Sequence, residues 1–418
     1  MLRLIFFLLL IFLLPSPILS QETVSQFSPH SSQNTDLQSS PLGGNAGGLL
    51  SLISTNNPQL RAARHANQAI VADARAENRL GETSVEYTPF YQKGVSGTAS
   101  SELIVSQEFD FPTLYAARGR QTKAQQQMLD LQYATLRRDI LLEAQQLCFD
   151  FATARQLQLL LRSRLAAADS LLQAFTLRLE QGDATRLDLN RIKMDRMAVS
   201  AEAIRNEASL TTLRHSLEAL NGGQPIDEQL ITTAAKQLAD RLGHDRQTID
   251  ACTAVSSLEI KAAQASLETS QQELRVMQQS WLPSLTLGYR RNTELNEAQN
   301  GVLLGISLPL FGNTQKVKAA RLRRSAAEEE SANVQLQQNA RQQSLLSQSH
   351  QLALLLDTYD EALLRQQLTL LHRAVIAGEL SVIDYYSEAD RIYAMLQDRL
   401  AIDNEYAKTL AQIYRDSL

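Results

Sequence analysis

Residues 119–182 read GRQTKAQQQMLDLQYATLRRDILLEAQQLCFDFATARQLQLLLRSRLAAADSLLQAFTLRLEQG, and the 62 residues between the two terminal glycines include no other glycine and no proline. Because a helix interior loses about 1 kcal/mol for each Gly and about 3 kcal/mol for each Pro, this run favours one long helix. From Tyr133 to Leu179 its apolar residues recur about every 3.5 positions, the period of a left-handed coiled coil. Such a helix would be roughly 93 Å long.

The same arrangement occurs a second time along the chain. A run of 65 residues without Gly or Pro precedes Gly378, and the runs that follow Gly182 and Gly378 are 39 and 40 residues long. Each half therefore predicts a helical hairpin, a long helix and a shorter one, that turns at a single glycine. Residues 60–63 align with 260–263, and Gly182 and Asp188 align with Gly378 and Asp384. An internal duplication is the simplest explanation.

Short segments with a period of two precede each long helix. Apolar and polar residues alternate there, which predicts one β-hairpin at 83–110 and another at 284–310. Polar loops are predicted at 93–100 and 292–301. Strands of about nine residues are long enough to cross a bilayer at a tilt. On periodicity alone, a small water-soluble sheet with one face packed on helices fits equally well.

The composition excludes several classes of protein. Of the 418 residues only 27 are Gly or Pro, 20% are charged and two are cysteines, so the chain is neither collagen nor a disordered chain nor a disulfide-rich scaffold. Its 40 basic and 45 acidic residues give a net charge of -5. Because no basic surplus remains to neutralise a phosphate backbone, nucleic acid is not expected as a partner.

The sequence contains none of the catalytic motifs that we considered. It has no G-x-S-x-G motif and no phosphate-binding glycine loop, and no histidine lies near Cys148 or Cys252 to activate a thiol. Its six histidines are scattered, without the spacing of metal ligands. We therefore expect no enzymatic activity, no cofactor and no resident metal.

The N-terminus predicts an export signal. Arg3 precedes an apolar run from Leu4 to Leu14, and small residues follow up to Ser20, so residues 1–20 are a predicted signal peptide. The run is too short to span a bilayer as a helix. Residues 21–48 are predicted to be a disordered leader and linker. Four strands would close a membrane barrel only in an oligomer, since about eight are needed and a trimer supplies twelve.

The order and spacing of four segments resemble the TolC-like outer membrane efflux proteins, over residues 57–418. The segments are Asn57–Leu60 (NPQL), 182–188 (GDATRLD), 305–311 (GISLPLF) and 378–384 (GELSVID). In addition, the segment SQEFDFP at 106–112 and the following Tyr115 are most similar to members that serve heavy-metal efflux pumps.

This resemblance implies a mainly α fold with a small β part. Duplicated long helical hairpins, 113–220 and 313–418, would form a periplasmic α-barrel, and four transmembrane β-strands per chain would close a 12-stranded barrel in a homotrimer. The first repeat would span residues 49–220 and the second 248–418. An equatorial linker, 221–247, would join the two repeats.

The resemblance also implies a function, that of the outer membrane channel of a tripartite efflux pump. The channel would conduct substrates passively from an inner membrane transporter of the RND type and a periplasmic adaptor protein to the outside. It would lie in outer membrane lipid, with its helical tunnel in the periplasm. A type I protein secretion duct also fits the resemblance. From the residues alone, a periplasmic coiled-coil scaffold without a pore stays open.

The two hairpin tips are the candidate site. By family position they would dock the adaptor, and the residues proposed for this role are Gly182, Asp183, Thr185, Leu187, Asp188, Gly378, Leu380, Ser381, Ile383 and Asp384. Asp384 would also contribute to an acidic ring at the tunnel entrance. The alternative role for Asp188 and Asp384 is structural, because a carboxylate near the start of the returning helix is favoured by the helix dipole.

The two cysteines lie at matching distances from the predicted strands. Each is about 30 residues away along a helix, so both would lie roughly 45 Å below the barrel. Cys148 and Cys252 could therefore form a disulfide in an oxidising periplasm if their Cα atoms came within about 7 Å. Lone cysteines in long helices are more often buried small apolar residues, and this reading stays open too.

Overall fold

The structure is a computed structural model that describes residues 45–93, 98–244, 257–294, 297–309 and 313–418. The predicted signal peptide, the predicted leader up to residue 44, and Cys252 lie outside the described residues. Within the described ranges, no helix combines the length and the apolar character needed to cross a lipid bilayer.

Both halves follow the same general order, in which a β-hairpin is followed by a long helical hairpin, but they differ in the number of helices. The first half consists of α1 (Asn45–Asn56), α2 (Pro58–Glu77), β1 (Thr83–Phe90), β2 (Ser100–Phe109), α3 (Pro112–Gln181) and α4 (Arg186–Leu220), and α5 (Glu228–His244) follows it. The second half consists of α6 (Leu258–Gln279), β3 (Ser284–Glu294), β4 (Glu297–Ser307), α7 (Asn313–Asp357), α8 (Glu361–Ala377) and α9 (Val382–Ile413), followed by a short 3-10 helix (Arg415–Ser417).

The long helix α3 is unbroken over 70 residues, about 105 Å. It begins with Pro112, which is tolerated at the first helical position because the missing N–H would have no partner there. It packs along α4, whose buried residues Ile192, Val199, Asn206, Leu210 and Leu217 are spaced by sevens or fours. This heptad spacing confirms the predicted coiled-coil hairpin.

The second long helix differs from the sequence prediction. One helix of 65 residues is predicted before Gly378, but the chain leaves the helix at residues 358–360 and begins again as α8. The side chain of Asp360 accepts a hydrogen bond from the backbone N–H of Leu363 at 3.0 Å and so caps α8. Asp breaks a helix by offering the backbone this alternative partner, although it is neither Gly nor Pro.

The four strands form one antiparallel sheet in the order β1-β2-β3-β4, so the two predicted hairpins pair with each other through β2 and β3. The predicted polar loop at 292–301 is wrong, because β3 continues to Glu294 and β4 starts at Glu297. Polar residues can extend a strand when their side chains face water, and sequence hydropathy cannot separate that case from a loop. The outer edges of the sheet are β1 and β4.

The predicted linker 221–247 contains a helix of its own. Gly222 and Gly223, both with positive φ, end α4, and α5 then packs against α1 and the middle of α3. This is the largest hydrophobic cluster among the described residues, with Ile53, Leu141 and Ile231 almost fully buried in it. The buried Asn57 adds a polar anchor, because its side-chain amide donates to the carbonyl of Leu220 at 3.0 Å.

Candidate functional site

The two hairpin tips share one hydrophobic cluster. Phe175 and Ile192 from the first hairpin pack with Val375 and Val382 from the second, all buried. The residue pairs come from parts of the sequence about 200 positions apart. The fold therefore brings the two predicted tips to the same end of the helical bundle.

Main-chain hydrogen bonds make the first tip. Gly182 has φ 83°, a left-handed conformation that costs a residue without Cβ nothing. Its N–H donates to the carbonyl of Leu179 at 3.2 Å, and the N–H of Asp183 donates to the carbonyl of Arg178 at 2.8 Å. These two bonds are the Schellman arrangement, which satisfies carbonyls that a helix end leaves free.

The returning helix α4 begins with a reciprocal cap. The hydroxyl oxygen of Thr185 accepts from the N–H of Asp188 at 3.1 Å, and the carboxylate of Asp188 accepts from the N–H of Thr185 at 3.0 Å. Two free backbone donors of the helix start are thereby satisfied. Asp188 thus has the structural role that the sequence left open.

The second tip repeats the turn with a weaker cap. Gly378 has φ 79°, and Glu379 N–H donates to the carbonyl of Ala374 at 3.0 Å. Ser381 accepts from the N–H of Asp384 at 3.1 Å, and its hydroxyl donates to the Asp384 carboxylate at 2.6 Å. The side-chain bonds are the same in both caps, but only the Asp188 carboxylate also accepts from the backbone N–H of its cap residue, Thr185.

The predicted tip residues divide into those that build the turns and those that face outward. Leu187 and Ile383 occupy equivalent positions in the two tips and are 72% and 52% exposed. Leu380 instead packs against the shared hydrophobic cluster. The tips therefore present apolar side chains to solvent at two related points, and Asp183 and Asp384 lie exposed beside them.

A partly buried polar cluster near the tips was not predicted from the sequence. Arg164 of α3 donates to Asp195 of α4 at 2.6 Å, pairs with Asp390 of α9 and covers the ring of Tyr393 at 4.7 Å. Burial raises the pKa of Asp195, although the charge of Arg164 opposes this shift. The partners are 31 and 226 positions apart in sequence, so no local spacing signals the cluster.

The sheet has one apolar and one polar face. Val85, Val105, Tyr289 and Val302 lie opposite one another across the four strands, and the row Thr88, Glu102, Asn292 and Gln299 lies on the other face. The apolar face is exposed, with its most exposed side chains at 42–77%: Val85, Tyr87, Leu285, Leu287, Tyr289, Val302, Leu304 and Ile306. On the polar face Arg290 forms an ion pair with Glu102.

The described residues bring together no group of three or more His, Cys, Asp or Glu side chains that could hold a metal ion. Cys148 is fully buried, and burial raises the pKa of its thiol to about 12. This environment suits a small apolar residue. Its predicted disulfide partner, Cys252, lies outside the described residues.

No protein-family model matches the chain, and no curated protein matches it by sequence. Solved structures do. The chain is similar to the CmeC outer membrane channel of Campylobacter jejuni, with TM-score 0.73 and 12% identity over 96% of this chain and 94% of CmeC. It is also similar to the outer membrane protein VceC of Vibrio cholerae, with TM-score 0.70 and 14% identity over 89% and 95% of the two chains.

A third similar structure is the open state of the MtrE outer membrane channel of Neisseria gonorrhoeae, with TM-score 0.69 and 15% identity over 89% of this chain and 88% of MtrE. At these identities the likeness shows the fold. The predicted fold class, a mainly helical chain with duplicated long helical hairpins and a small four-stranded sheet, is confirmed.

Proposed function

We propose that this chain is the outer membrane channel of a tripartite efflux pump and conducts its cargo passively through a homotrimer. The observation that carries the proposal is the exposed apolar face of the four-stranded sheet. In a water-soluble sheet that face would be covered by helices, yet Val302 and Leu304 are 75% and 77% exposed. Lipid is the surrounding in which such a face is stable, and the polar face then lines an aqueous lumen.

Aromatic side chains border the apolar face at both ends. Trp281 lies just before β3 and is 65% exposed, and Tyr91 follows β1 at the opposite end and is 75% exposed. Trp and Tyr are enriched where membrane meets water, because their rings are apolar and their N–H or O–H groups are polar. Their positions support a sheet that spans the membrane.

Two different free edges support closure into a ring of copies. The edge strands β1 and β4 leave backbone donors and acceptors unpaired, and β4 of one copy can pair with β1 of the next. Three copies supply the twelve strands of a closed barrel. On α4 a second stripe of apolar residues, opposite the buried one, is exposed and available for a neighbouring copy: Met194, Met197 and Ile204, 58–69% exposed.

The tips would dock the helical hairpins of a periplasmic adaptor, which connects to an inner membrane transporter of the RND type. Leu187 and Ile383 supply exposed apolar contacts, and Gly182, Gly378, Thr185 and Ser381 hold the turns that present them. In the trimer three copies of Asp384 would form the acidic ring of the tunnel entrance. Replacing Asp384 by Asn should then reduce the preference of the channel for cations in planar bilayers.

The segment similar to heavy-metal members has a structural role of its own. The hydroxyl of Tyr115 accepts from the N–H of Asp110 at 3.0 Å, and Arg118 pairs with Asp110 at 2.6 Å. These contacts fix the corner between β2 and α3. Metal ions are the first class of cargo to test in export assays.

Membrane fractionation of the full chain is the decisive experiment. We expect recovery in the outer membrane, a trimer band that converts to monomer on heating, and single-channel conductance in planar bilayers. A monodisperse protein that stays in solution without detergent would support the coiled-coil scaffold instead. Co-purification with an ATP-driven protein exporter, rather than with an efflux transporter, would assign it to type I secretion.

A pair of adjacent substitutions tests the lipid-facing surface. Leu304→Arg places a charge on the apolar face, where it costs about 2–4 kcal/mol near the bilayer midplane. Leu303→Arg places the same charge on the opposite face, which is the proposed aqueous lumen. We expect loss of trimers for Leu304→Arg and retention for Leu303→Arg. Equal behaviour of the two variants would contradict a lipid-facing role for this face.

A further inference from the structure

The two tip glycines have the same backbone but different surroundings. Their φ values are 83° at Gly182 and 79° at Gly378. A Cβ added at Gly182 would meet no heavy atom within 4 Å, whereas one added at Gly378 would lie 3.1 Å from Nη2 and 3.5 Å from Nη1 of Arg178. A side chain of the first tip therefore covers the turn of the second.

Arg178 takes part in both turns at once. Its carbonyl accepts the N–H of Asp183 at 2.8 Å, which closes the first turn. Its guanidinium is stacked on the ring of Phe175, 5.0 Å from the centroid, and reaches the end of α8 at Gly378. Arg178 forms no ion pair with any described residue, so its charge is not neutralised by a carboxylate.

The placement of this charge is favourable for the second hairpin. Gly378 is the C-cap of α8, and the C-terminal end of a helix carries a partial negative charge. A cation in the last turn stabilises such an end, but the last turn of α8 has no basic residue of its own. Arg178, from the other repeat, supplies it. Stacking on Phe175 holds the guanidinium in place for this contact.

We infer that Arg178 is a positioning residue that couples the two tips of one chain, so that they move as a single surface. The inference about coupling rests on the contacts above. Its consequence, that the coupled tips offer the adaptor one surface with a fixed spacing, rests on the proposed function.

Hydrogen exchange of the purified full chain in detergent tests the coupling without an adaptor. The amides of Gly378 and Glu379 are bonded in the second turn and report its opening. Arg178→Ala keeps the carbonyl that closes the first turn and removes only the guanidinium. We expect exchange at residues 378 and 379 to accelerate about two- to fivefold, the effect of one cation at a helix end. A role confined to the first hairpin would leave these two amides unchanged.

The glycine pair provides the matched control. Gly182→Ala and Gly378→Ala introduce the same strain, because both positions require positive φ, but only Gly378→Ala displaces the guanidinium. We expect faster exchange at the substituted tip in Gly378→Ala than in Gly182→Ala, and the difference should vanish when Arg178→Ala is added to both. Equal exchange in the two glycine variants, or a difference that persists without Arg178, would overturn the coupling. Since no membrane or partner is involved, failure of the channel proposal would leave this result intact.

Discussion

The first half of the chain has one unbroken long helix, whereas the matching helix of the second half is divided into α7 and α8. Nineteen of the 70 residues of α3 are buried, but only three of the 45 residues of α7 are. α3 packs on α4, α6 and α9, while α7 lies at the edge of the bundle. Two copies of one unit have thus taken different positions, one at the centre of the bundle and one at its edge.

An ion pair with a buried arginine joins the two halves, and breaking it should have the largest effect. Both nitrogens Nη1 and Nη2 of Arg138 on α3 donate to the Glu259 carboxylate on α6 at 2.7 Å, and the Arg138 side chain is only 3% exposed. Arg138→Ala leaves Glu259 with Arg415, at 2.8 Å, as its remaining cation, so the loss of the charged hydrogen bonds should cost about 1.5–3 kcal/mol. The loss of stability is measured as a shift in the midpoint of urea unfolding, followed by the helical circular dichroism signal.

The neighbouring Arg137 is the control for this substitution. It is half-buried and donates to the hydroxyl of Ser54 at 3.1 Å and to a main-chain oxygen of Leu418, the last residue, at 2.7 Å, and it pairs with no Asp or Glu side chain of the described residues. Arg137→Ala should therefore shift the midpoint much less. Similar losses in the two variants would mean that the ion pair is not what joins the halves.

The same joint should depend on pH. Burial alone would raise the pKa of Glu259, but hydrogen bonds from Arg138 and the charge of Arg415 outweigh burial and lower the pKa to about 2. Because the folded pKa lies below the ordinary value of 4.5, the stabilisation is complete above about pH 4.5 and is lost as the pH falls towards 2. Glu259→Gln should remove this part of the acid dependence. An unchanged slope would contradict the assignment.

The sheet offers a second joint between the halves, at Gly288. A Cβ there would lie 2.6 Å from the carbonyl oxygen of Val105 and 3.0 Å from the Cβ of Ser106, both on β2. Gly288→Ala should therefore strain the β2–β3 pairing by about 1–3 kcal/mol and lower the yield of folded protein. Gly301→Ala, whose Cβ would meet only the Arg290 carbonyl at 4.0 Å, should be tolerated. The yields of folded protein of the two variants are compared by the amount of the heat-modifiable band on gels.

The helix break before α8 can be tested by removing the residue that caps α8. Asp360→Ala removes the bond to Leu363 N–H and should cost about 1 kcal/mol of local stability. Faster hydrogen exchange in the first turn of α8 is the expected result. Asp357→Ala, at the last residue of α7, removes a carboxylate from the unfavourable end of a helix and should leave that turn unaffected. Unchanged exchange in Asp360→Ala would mean that another contact holds the break.

The smallest expected effect is a difference in stability between the helix caps of the two tips. Asp188→Ala removes a carboxylate that accepts from both the hydroxyl and the N–H of Thr185, whereas Asp384→Ala removes one that accepts from the Ser381 hydroxyl. The first substitution should cost about 0.5 kcal/mol more, the value of one additional exposed hydrogen bond. Exchange rates of the amides at 185–189 and 381–385 would differ about twofold. A larger loss at the second tip would reverse the ranking of the caps.

The sequence predicted the parts of this fold that depend on local preference. Gly182 and Gly378 predict the turns because the residue that adopts the left-handed backbone conformation after a helix is usually glycine. The break at Asp360 was missed because a polar cap has no breaker residue, and the extension of β3 and β4 was missed because water-facing strand residues resemble a loop.

Contacts between distant parts of the chain could not be predicted from spacing. Arg164 meets Asp390 across 226 positions, and Arg178 meets Gly378 across 200, so only the packed bundle brings them together. The pairing of β2 with β3 is a further case, since each hairpin is recognisable by itself but their common register is not. The tip residues were therefore predicted one by one, without the neighbour that couples them.

Backbone hydrogen bonds close both tips. The side chains that a tip exposes to a partner are therefore independent of the bonds that hold its turn. The side chains of Asp183, Arg186 and Leu187 in the first tip, and of Glu379 and Ile383 in the second, are exposed and make no bond that closes the turns, which are closed by main-chain groups. Substitutions at these five positions should leave the conformation of the two hairpins unchanged. Such a chain can acquire a new partner by changing a few surface residues, while its helical hairpins keep their fold.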